Sequence, residues 1–422
     1  MMSNLYDELL QRGFIQQVTN EANLRKKLSE EKITCYIGFD PTADSLHAGN
    51  LVQIMALALA QRFGHKPIAI LGSGTTMIGD PSGRTELRKM LTREQIVANG
   101  EKIKRQLSHF LDFDPDPPSS KTQKESRGAM MVDNADWLLD LNYIEFLRDI
   151  GRHFSVNRML AAEAYKARLE TGLSFIEFNY QILQAYDYLM LHRRYGCTLQ
   201  IGGNDQWGNI LAGVDLIRRL ESVEVEALTT PLITTADGRK MGKTAAGAVW
   251  LAAEKFSPYD FYQYWVNVDD RDVGRFLRYF TFLSLEEIKT LETLEGADLR
   301  QAKAMLAFEV TKNVHGEDAA RQAREAAQAL FGHGTGAESV PQINLPKQNF
   351  QPDMGVVDLF VTAGLANSKS EARRLISQGG AYVNQRRIQA IEEKVDLSDI
   401  QDGALLLRAG KKRYQKIMVT EN

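Results

Sequence analysis

Two lysines lie three residues apart in the segment DGRKMGKT, at Lys240 and Lys243. Two cations at this spacing can neutralise the charge that develops on a departing pyrophosphate. The neighbouring glycines favour a loop that closes as a reaction proceeds. Taken alone, a lysine pair of this kind is more often a solvated surface turn, and that alternative stays open here.

A second segment suited to chemistry is His47-Ala48-Gly49-Asn50, which follows the strand-like run ITCYIGFD and opens a helical pattern. A helix start presents unpaired N–H groups and the positive end of the helix dipole, so it can bind phosphate. Gly49 would let an adenine or a ribose lie against the backbone. The pattern predicts an ATP pocket, and a simple helix cap with a locally bonded histidine is the alternative.

Polar side chains recur at offsets of four and three residues in SFIEFNYQILQAYDYLM, at Tyr180, Gln184 and Asp187. On a helix they occupy one stripe about 60° wide, beside an apolar stripe. All three can therefore face one ligand, although the same spacing also fits a solvent-facing polar edge.

The elements that must position these residues alternate between short apolar runs and helical patterns from residue 33 to residue 220. This alternation predicts an α/β fold with a parallel sheet flanked by helices. The predicted domains are a sheet domain at 1–245 with a mostly helical insertion at about 88–195, an all-α domain at 246–332, a linker at 333–352 and a small α+β domain at 353–422.

Composition excludes several classes of protein. The chain has 422 residues and a formal net charge of -3, so it is multidomain and any nucleic-acid contact must come from local basic patches. Cys35 and Cys197 fit neither a zinc site nor a disulfide framework, which favours a reducing, cytoplasmic setting. The sequence shows neither a signal peptide nor a membrane span.

The C-terminal segment reverses the charge of the chain. Residues 351–422 hold 11 basic and 9 acidic side chains, a net charge of +2. Ser368 and Glu371 form a capping-box pattern at the start of a helix that carries Arg373 and Arg374, and a predicted hairpin with two further arginines follows. The pattern predicts contacts with RNA phosphates, and a solvated charged helix is the alternative.

Six segments, in this order, closely resemble the bacterial tyrosyl-tRNA synthetases, which are class I aminoacyl-tRNA synthetases: YIGFDPTADSLHAGN, IGDPSG, NYQILQAYD, LQIGGNDQWGN, DGRKMGKT and SPYDFYQYWVN. The resemblance implies a Rossmann-like catalytic domain with a helical insertion, an all-α domain that meets the anticodon region of tRNA, and an S4-type RNA-binding domain. It also implies that tyrosine is activated with ATP to tyrosyl-adenylate and pyrophosphate, and then esterified to the 3′-terminal adenosine of tRNA(Tyr).

The same resemblance implies a role for each matching residue. Tyrosine would be bound by Tyr36, Asp80, Tyr180, Gln184, Asp187 and Gln200, with Tyr36 and Asp187 on its hydroxyl. ATP would be bound by Asp40, His47, Gly49, Asn50, Gly203, Asp205, Gln206 and Lys243. Pyrophosphate would be stabilised in the transition state by Thr42, His47, Arg84, Arg88, Lys240 and Lys243. RNA would be bound by Lys369, Arg373, Arg374, Arg386 and Arg387.

The implied partners are tRNA(Tyr), L-tyrosine, ATP with Mg²⁺ on its phosphates, and a second copy of the chain bound through the insertion, with no membrane and no protein-held metal. Three positions depart from the family pattern. Asn50 replaces the second signature histidine, Ile37 stands where relatives often carry cysteine, and Gly242 replaces the first serine of the lysine signature. Both lysines are retained.

Three rival functions remain for this sequence. Tryptophanyl-tRNA synthetase is disfavoured by the phenol-binding pair Tyr36 and Asp187. An RNA-binding protein without catalysis would need no pyrophosphate clamp. A small-molecule adenylyltransferase would lack the helical and C-terminal domains.

Overall fold

The computed structural model describes residues 4–82, 91–114, 128–161, 165, 169, 172–239, 241–244, 247–331, 342–350, 353–384, 386–401, 403–410 and 413–420. The chain falls into two compact units. Unit 1 comprises Met1–Phe256 and Val268–Val314, and unit 2 comprises Ser257–Asn267 and His315–Asn422.

Helices account for much of both units. In chain order, the described helices are α1 (Leu5–Arg12), α2 (Glu21–Glu30), α3 (Leu51–Arg62), α4 (Ser73–Thr76), α5 (Arg93–Leu107), α6 (Ala135–Leu138), α7 (Tyr143–Asp149), α8 (Val156–Leu160), α9 (Phe175–Tyr195), α10 (Trp207–Glu221), α11 (Pro258–Val266), α12 (Val273–Phe280), α13 (Leu285–Glu292), α14 (Leu299–His315), α15 (Glu317–Phe331), α16 (Val356–Thr362) and α17 (Lys369–Ser377). Over the described ranges, no helix has both the length and the apolar character that a membrane crossing requires.

A largely parallel sheet forms the centre of unit 1. Its described strands are β1 (Gln17–Val18), β2 (Thr34–Phe39), β3 (Lys66–Leu71), β4 (Met130–Asp133), β5 (Cys197–Gly203) and β6 (Glu226–Thr230). They lie in the order β1-β6-β5-β2-β3-β4, and β1 alone among them pairs antiparallel. The direction of chain progression reverses between β2 and β5, and α/β sheets bind ligands beyond the carboxyl ends of strands at such a point.

Helix α3 shows why the chain between residues 51 and 60 is almost wholly apolar. Apart from Gln53, every residue from Leu51 to Ala60 is buried. A helix that is apolar on all sides must be enclosed by other elements, and α3 packs against β2 and β3. This burial fixes the start of the helix, where His47 and Gly49 lie, relative to the sheet. The predicted α/β class with a parallel sheet is confirmed.

The segment predicted as a helical insertion is helical over most of its described part, which contains α5 to α9. It also contains β4, which was not predicted and which extends the sheet beside β3. The insertion therefore supplies a strand end to the same edge of the sheet as β2 and β5. The domain boundaries themselves stay predictions.

Unit 2 contains α11 and α15, which pack on each other, and a sheet near the C-terminus. Its described strands are β9 (Gln342–Pro346), β10 (Met354–Gly355), β11 (Ala381–Val383), β12 (Arg386–Arg387), β13 (Lys394–Val395), β14 (Ala404–Ala409) and β15 (Arg413–Thr420); in unit 1, β7 (Lys243–Thr244) and β8 (Gly247–Ala248) form a small antiparallel pair. The larger sheet has the order β12-β11-β14-β15-β9. One face of it packs on α16 and α17 through Phe360, Ile376 and Leu407.

Arg12, at the end of α1, fastens the N-terminal helix to the end of α12. Its guanidinium is 3% exposed and donates to the carbonyl oxygens of Arg278 (3.1 Å), Thr281 (3.1 Å) and Leu283 (2.6 Å). The last carbonyls of a helix lack partners within the helix, so a cation here satisfies and neutralises them.

Replacing Arg12 with alanine should lower the free energy of unfolding by about 3 kcal/mol, because one buried and two partly buried carbonyl hydrogen bonds lose their charged donor. Urea unfolding of the full chain would measure this. Arg25→Ala is the control: Arg25 is 50% exposed and pairs with Asp7, so its loss should cost at most about 1 kcal/mol. A similar loss of unfolding free energy in the two variants would contradict the stabilising role of Arg12.

Candidate active site

Polar residues gather where four neighbouring strands of the unit 1 sheet end. Asp40 follows β2, Thr75 lies just after β3, Asn134 follows β4, and Gly203 ends β5. Because parallel strands present their carboxyl ends at one edge, residues far apart in sequence meet here. The edge includes the point between β2 and β5 at which the strand order reverses.

A buried carboxylate lies at the inner end of this region. Asp187 on α9 is 5% exposed and accepts hydrogen bonds from Trp137 Nε1 (2.7 Å) and Asn134 Nδ2 (2.9 Å). Burial raises the pKa of Asp187 to about 7, although both hydrogen bonds oppose the shift. A carboxylate held in this way can accept a further hydrogen bond from a ligand hydroxyl.

Tyr36 on β2 lies close to this carboxylate. It is 2% exposed, and its hydroxyl has no hydrogen-bond partner among the described residues. Burial raises the pKa of Tyr36 well above its ordinary value, and the negative charge of Asp187 adds to the effect. Tyr36 is also the register partner of Gln200 on β5, whose buried side-chain oxygen is likewise unpartnered. Buried polar atoms without partners are costly, so these groups are suited to a polar ligand.

A chain of hydrogen bonds runs from the carboxylate to the outer end of the site. Asn134 Nδ2 also donates to Thr75 Oγ1 (3.0 Å), and Thr75 Oγ1 donates to Asp40 Oδ1 (2.9 Å). The Tyr180 hydroxyl donates to Asp40 Oδ2 (2.9 Å). A side chain at Gly72 would place its Cβ 2.0 Å from Asp40 Oδ1, so only glycine leaves room for this carboxylate.

A second polar network adjoins the first. Gln206 Nε2 donates to Asp80 Oδ2 (2.7 Å), and Asn209 donates to Gln206 Oε1 (3.1 Å). The structure thus joins Asp80, predicted to bind tyrosine, to Gln206, predicted to bind ATP. On α9, Gln184 has a buried side-chain oxygen without a partner in the described part of the chain.

The two signature segments meet in the structure. His47 Nδ1 accepts the N–H of Gly49 (3.1 Å), and the His47 N–H donates to Asn50 Oδ1 (3.0 Å). These bonds form the helix cap that was the alternative to an ATP pocket, and they leave the ATP pocket a prediction. A Cβ on Gly49 would lie 3.1 Å from the Met241 carbonyl oxygen, and a Cβ on Gly242 would lie 2.7 Å from the Gly49 nitrogen. The lysine segment therefore lies directly against the start of α3.

For several other predicted site residues the structure describes little or nothing of the side chain's surroundings. Arg84, Arg88 and Lys240 lie outside the described residues, and for Lys243 the backbone alone is described, as part of β7. Thr42 donates its N–H to the Asp40 carbonyl (2.7 Å). A Cβ on Gly203 would lie 2.6 Å from Asp205 Oδ1, so this pair is in close contact at the end of β5.

The predicted RNA-binding residues lie in unit 2. Arg373 and Arg374 are exposed on α17, where Ser368 caps the helix as predicted; the Glu371 carboxylate accepts the Asn367 N–H, not that of Ser368. Lys369 pairs with Asp358 (2.6 Å), and Arg386 pairs with Glu393 (2.6 Å). The Arg387 guanidinium lies over Gly379.

Sequence reasoning missed a row of cationic and aromatic side chains across the unit 2 sheet. Cross-strand register aligns Arg387, Tyr382, Arg408 and Tyr414 on four successive strands. The Arg408 guanidinium lies 3.6 Å from the centre of the Tyr382 ring and 6.0 Å from that of Tyr414. Such side chains can stack on nucleic-acid bases as well as attract phosphates. The alternating pattern of β14 could have indicated that Arg408 points away from the core.

Sequence reasoning also missed Thr75, Asn134 and Trp137. For Asn134 and Trp137 the available signal was the polar run after MMV in MMVDNADW, at the end of a short apolar stretch inside a helical region. No group of three or more His, Cys, Asp or Glu residues suited to a metal ion occurs among the residues described.

The chain is similar to class I tRNA synthetases over most of its length. A family model for class I tRNA synthetases (W and Y) matches residues 27–332, and one for the C-terminal domain of tyrosine–tRNA ligases matches residues 334–417. The tyrosine–tRNA ligase of Desulfosudis oleivorans is 54% identical over 99% of both chains, and that of Clostridium botulinum is 51% identical over 99% of this chain and all of its own. The chain belongs to the tyrosine–tRNA ligase family.

Solved structures agree with membership of the tyrosine–tRNA ligase family. A truncated mitochondrial tyrosyl-tRNA synthetase from Aspergillus nidulans is 29% identical, with a TM-score of 0.68, over 78% of this chain and 94% of its own. A tryptophanyl-tRNA synthetase from Encephalitozoon cuniculi shares the fold at 11% identity, with a TM-score of 0.53, over 75% and 86% of the two chains. The identities of the tyrosine ligases settle the family against the tryptophan alternative.

The affinity for tyrosine should rise with pH through the pKa of Asp187. The ionised carboxylate is the better acceptor for the phenolic O–H, and its fraction grows as the pH passes about 7. We expect the dissociation constant of tyrosine to fall about tenfold between pH 6 and pH 8. Titration of intrinsic fluorescence with tyrosine would measure this. Asp187→Asn should bind more weakly and independently of pH over that range; an affinity of the native chain that falls as the pH rises would contradict the assignment.

Proposed function

We propose that this chain binds L-tyrosine with its phenolic hydroxyl between Tyr36 and Asp187, activates it with ATP and transfers it to tRNA(Tyr). The observation that carries the proposal is the fully buried Tyr36 hydroxyl, which lies beside the Asp187 carboxylate and has no hydrogen-bond partner among the residues that the structure describes. Phenylalanine would leave both groups desolvated and without a hydrogen bond, so the site disfavours it.

The polar groups between this pair and the sheet edge are suited to the ammonium and the carboxylate of tyrosine. The ammonium suits the anionic side of the site, where Asp40 and Asp80 lie with Tyr180, Gln184 and Gln200. The hydrogen bonds from Thr75 and Tyr180 hold Asp40 in one orientation. Tyrosine bound in this way directs its carboxylate towards the start of α3, where ATP is expected.

The first chemical step needs alignment and charge stabilisation and no protein nucleophile. The tyrosine carboxylate attacks the α-phosphorus of ATP, and the bond to pyrophosphate breaks. The nucleotide is proposed to lie along the partly buried backbone at Gly49, with Asn50, Gly203, Asp205 and Gln206 around it. Thr42, His47, Arg84, Arg88, Lys240 and Lys243 stabilise the departing pyrophosphate. Mg²⁺ would be held by the phosphates of ATP and by water, as that ion prefers.

The second step brings tRNA to the adenylate, and unit 2 supplies basic groups for its binding. Arg373 and Arg374 are exposed and suited to phosphates. The row through Tyr382, Arg408 and Tyr414 offers stacking surfaces in addition. We assign residues 353–422 to an S4-type RNA-binding domain and 246–332 to the helical domain that meets the anticodon region.

The insertion is the proposed surface for a homodimer. Large apolar side chains between residues 143 and 176 are exposed in the single chain: Tyr143 (59%), Ile144 (69%), Val156 (57%), Phe175 (70%) and Ile176 (46%). Exposed apolar side chains in such number favour burial against another protein surface. Both cysteines, Cys35 and Cys197, are buried and free, which suits a reducing, cytoplasmic setting.

Amino-acid-dependent exchange of pyrophosphate into ATP tests the proposed activity. Tyrosine should support exchange, whereas phenylalanine and tryptophan should not. Lys240→Ala should lower the exchange rate about a hundredfold and leave tyrosine affinity within about twofold, because it removes charge stabilisation made in the transition state. Equal effects on rate and affinity would refute the pyrophosphate role, and exchange with tryptophan alone would refute the substrate.

Removal of residues 353–422 should spare pyrophosphate exchange and reduce tRNA charging by at least about a hundredfold, since most phosphate contacts of this unit are lost. A finer variant, Arg408→Gln, should weaken charging several-fold and reduce its dependence on salt. Lys394→Gln is its control, because Lys394 is 61% exposed and pairs with Asp353 away from the row. Unchanged charging by the truncated chain would reject the RNA assignment.

A further inference from the structure

The lysine segment is the second arm of a hairpin in unit 1. The Met241 N–H donates to the Ile233 carbonyl (2.9 Å), and the Thr235 N–H donates to the Arg239 carbonyl (2.8 Å). Gly238 turns the chain between the arms with φ of 81°. Residues 233–236 form the first arm, and residues that include Met241 and Gly242 form the second.

The first arm is fastened to the start of α12 by one buried carboxylate. Asp272 is 2% exposed, and its Oδ2 accepts the N–H of Ala236 (2.8 Å). Its Oδ1 accepts from Arg275, and the same Arg275 nitrogen donates to the carbonyl of Thr234. The ion pair between Asp272 and Arg275, at the start of α12, thus contacts the first arm at both Thr234 and Ala236. Asp272 also precedes α12, where a negative charge is stabilised by the helix dipole.

The second arm lies against the start of α3. Hypothetical Cβ atoms on Gly49 and Gly242 come within 3.1 Å of the opposite backbone. The Gly242 carbonyl accepts the Val249 N–H (2.9 Å), which returns the chain along the same side. A shift of the first arm would therefore move the second arm relative to His47-Ala48-Gly49-Asn50, the segment predicted to bind ATP.

We propose that Asp272 is a positioning residue for adenylate formation, which acts by holding the hairpin so that its second arm lies on the start of α3. This inference rests on the proposed function, because it requires that the lysine segment act on ATP. Asp272 itself touches neither substrate. Its contribution is geometric: displacement of catalytic groups by about 1 Å can cost a hundredfold in rate.

The neighbouring acidic residues do not share this role. Asp270 pairs with Lys303 and its side chain is 71% exposed, and Asp269 pairs with Arg271 at the surface. Within the described part of the chain, Asp269 and Asp270 form no hydrogen bond or ion pair with the hairpin arms, whereas Asp272 and Arg275 contact the first arm directly. Asp270→Asn is consequently a matched control within the same turn.

The test is tyrosine-dependent pyrophosphate exchange by the full chain with Asp272→Asn, which keeps the shape of the side chain and can satisfy only one of its two partners at full strength. The turnover should fall about tenfold or the KM for ATP should rise by a similar factor, with the KM for tyrosine within about twofold. Asp270→Asn should match the native chain. Arg275→Gln, at a more exposed position, should repeat the effect if Asp272→Asn folds poorly.

A double variant identifies the route of the effect. In a Lys243→Ala background, Asp272→Asn should produce a smaller further loss than it does in the native chain, because one of the two lysines that it positions is already absent. Multiplicative losses, a native rate for Asp272→Asn, or a parallel loss of tyrosine affinity and thermal stability would each overturn the positioning role. If Lys243→Ala alone exchanges pyrophosphate normally, the lysine role in the proposed function fails, and the inference fails with it; a deficient Lys243→Ala with a normal Asp272→Asn overturns the inference alone.

Discussion

The site depends on the burial and hydrogen bonding of the Asp187 carboxylate. Removing an ion from water is unfavourable, and here the cost appears as a pKa of about 7. Trp137 and Asn134 offset part of it, and Asn134 belongs to the strand end that the insertion adds to the sheet. The sheet order, the insertion and the long helix α9 are thus all needed to place one acceptor. A ligand hydroxyl that reaches it completes a set of hydrogen bonds which the protein alone leaves unfinished.

Much of the fold was predictable because its elements follow local rules. The apolar runs at β2, β3 and β5 and the enclosed helix α3 are visible in the sequence, and their alternation predicted the parallel sheet. The strand β4 was missed, since four residues within a helical region carry too little periodicity. Its existence depends on pairing with β3, which lies some sixty residues away along the chain, and no local pattern contains that partnership.

The residue types of the candidate site were easier to predict than the hydrogen bonds that connect them. The spacing on α9 predicted a shared side of the helix for Tyr180 and Asp187, and each is hydrogen-bonded to a residue of the sheet edge. The residues that link them, Thr75 and Asn134, come from separate strands and were not foreseen. The anchor at Asp272 escaped notice for the same reason: a charged residue in a polar turn looks solvated until its distant partners are known. The roles of Arg84, Arg88 and Lys240 stay predictions.

The contact between Gly49 and Gly242 has a consequence for inhibition. Each glycine lacks room for a side chain, because added Cβ atoms would lie 2.8 Å from the His47 ring and 2.7 Å from the Gly49 nitrogen. Resistance by point substitution would therefore be difficult against a compound that binds mainly the backbone along the contact between Gly49 and Gly242. Any replacement large enough to exclude the drug would also push apart the two segments, which under the proposed function must stay together, so resistance would carry a loss of fitness.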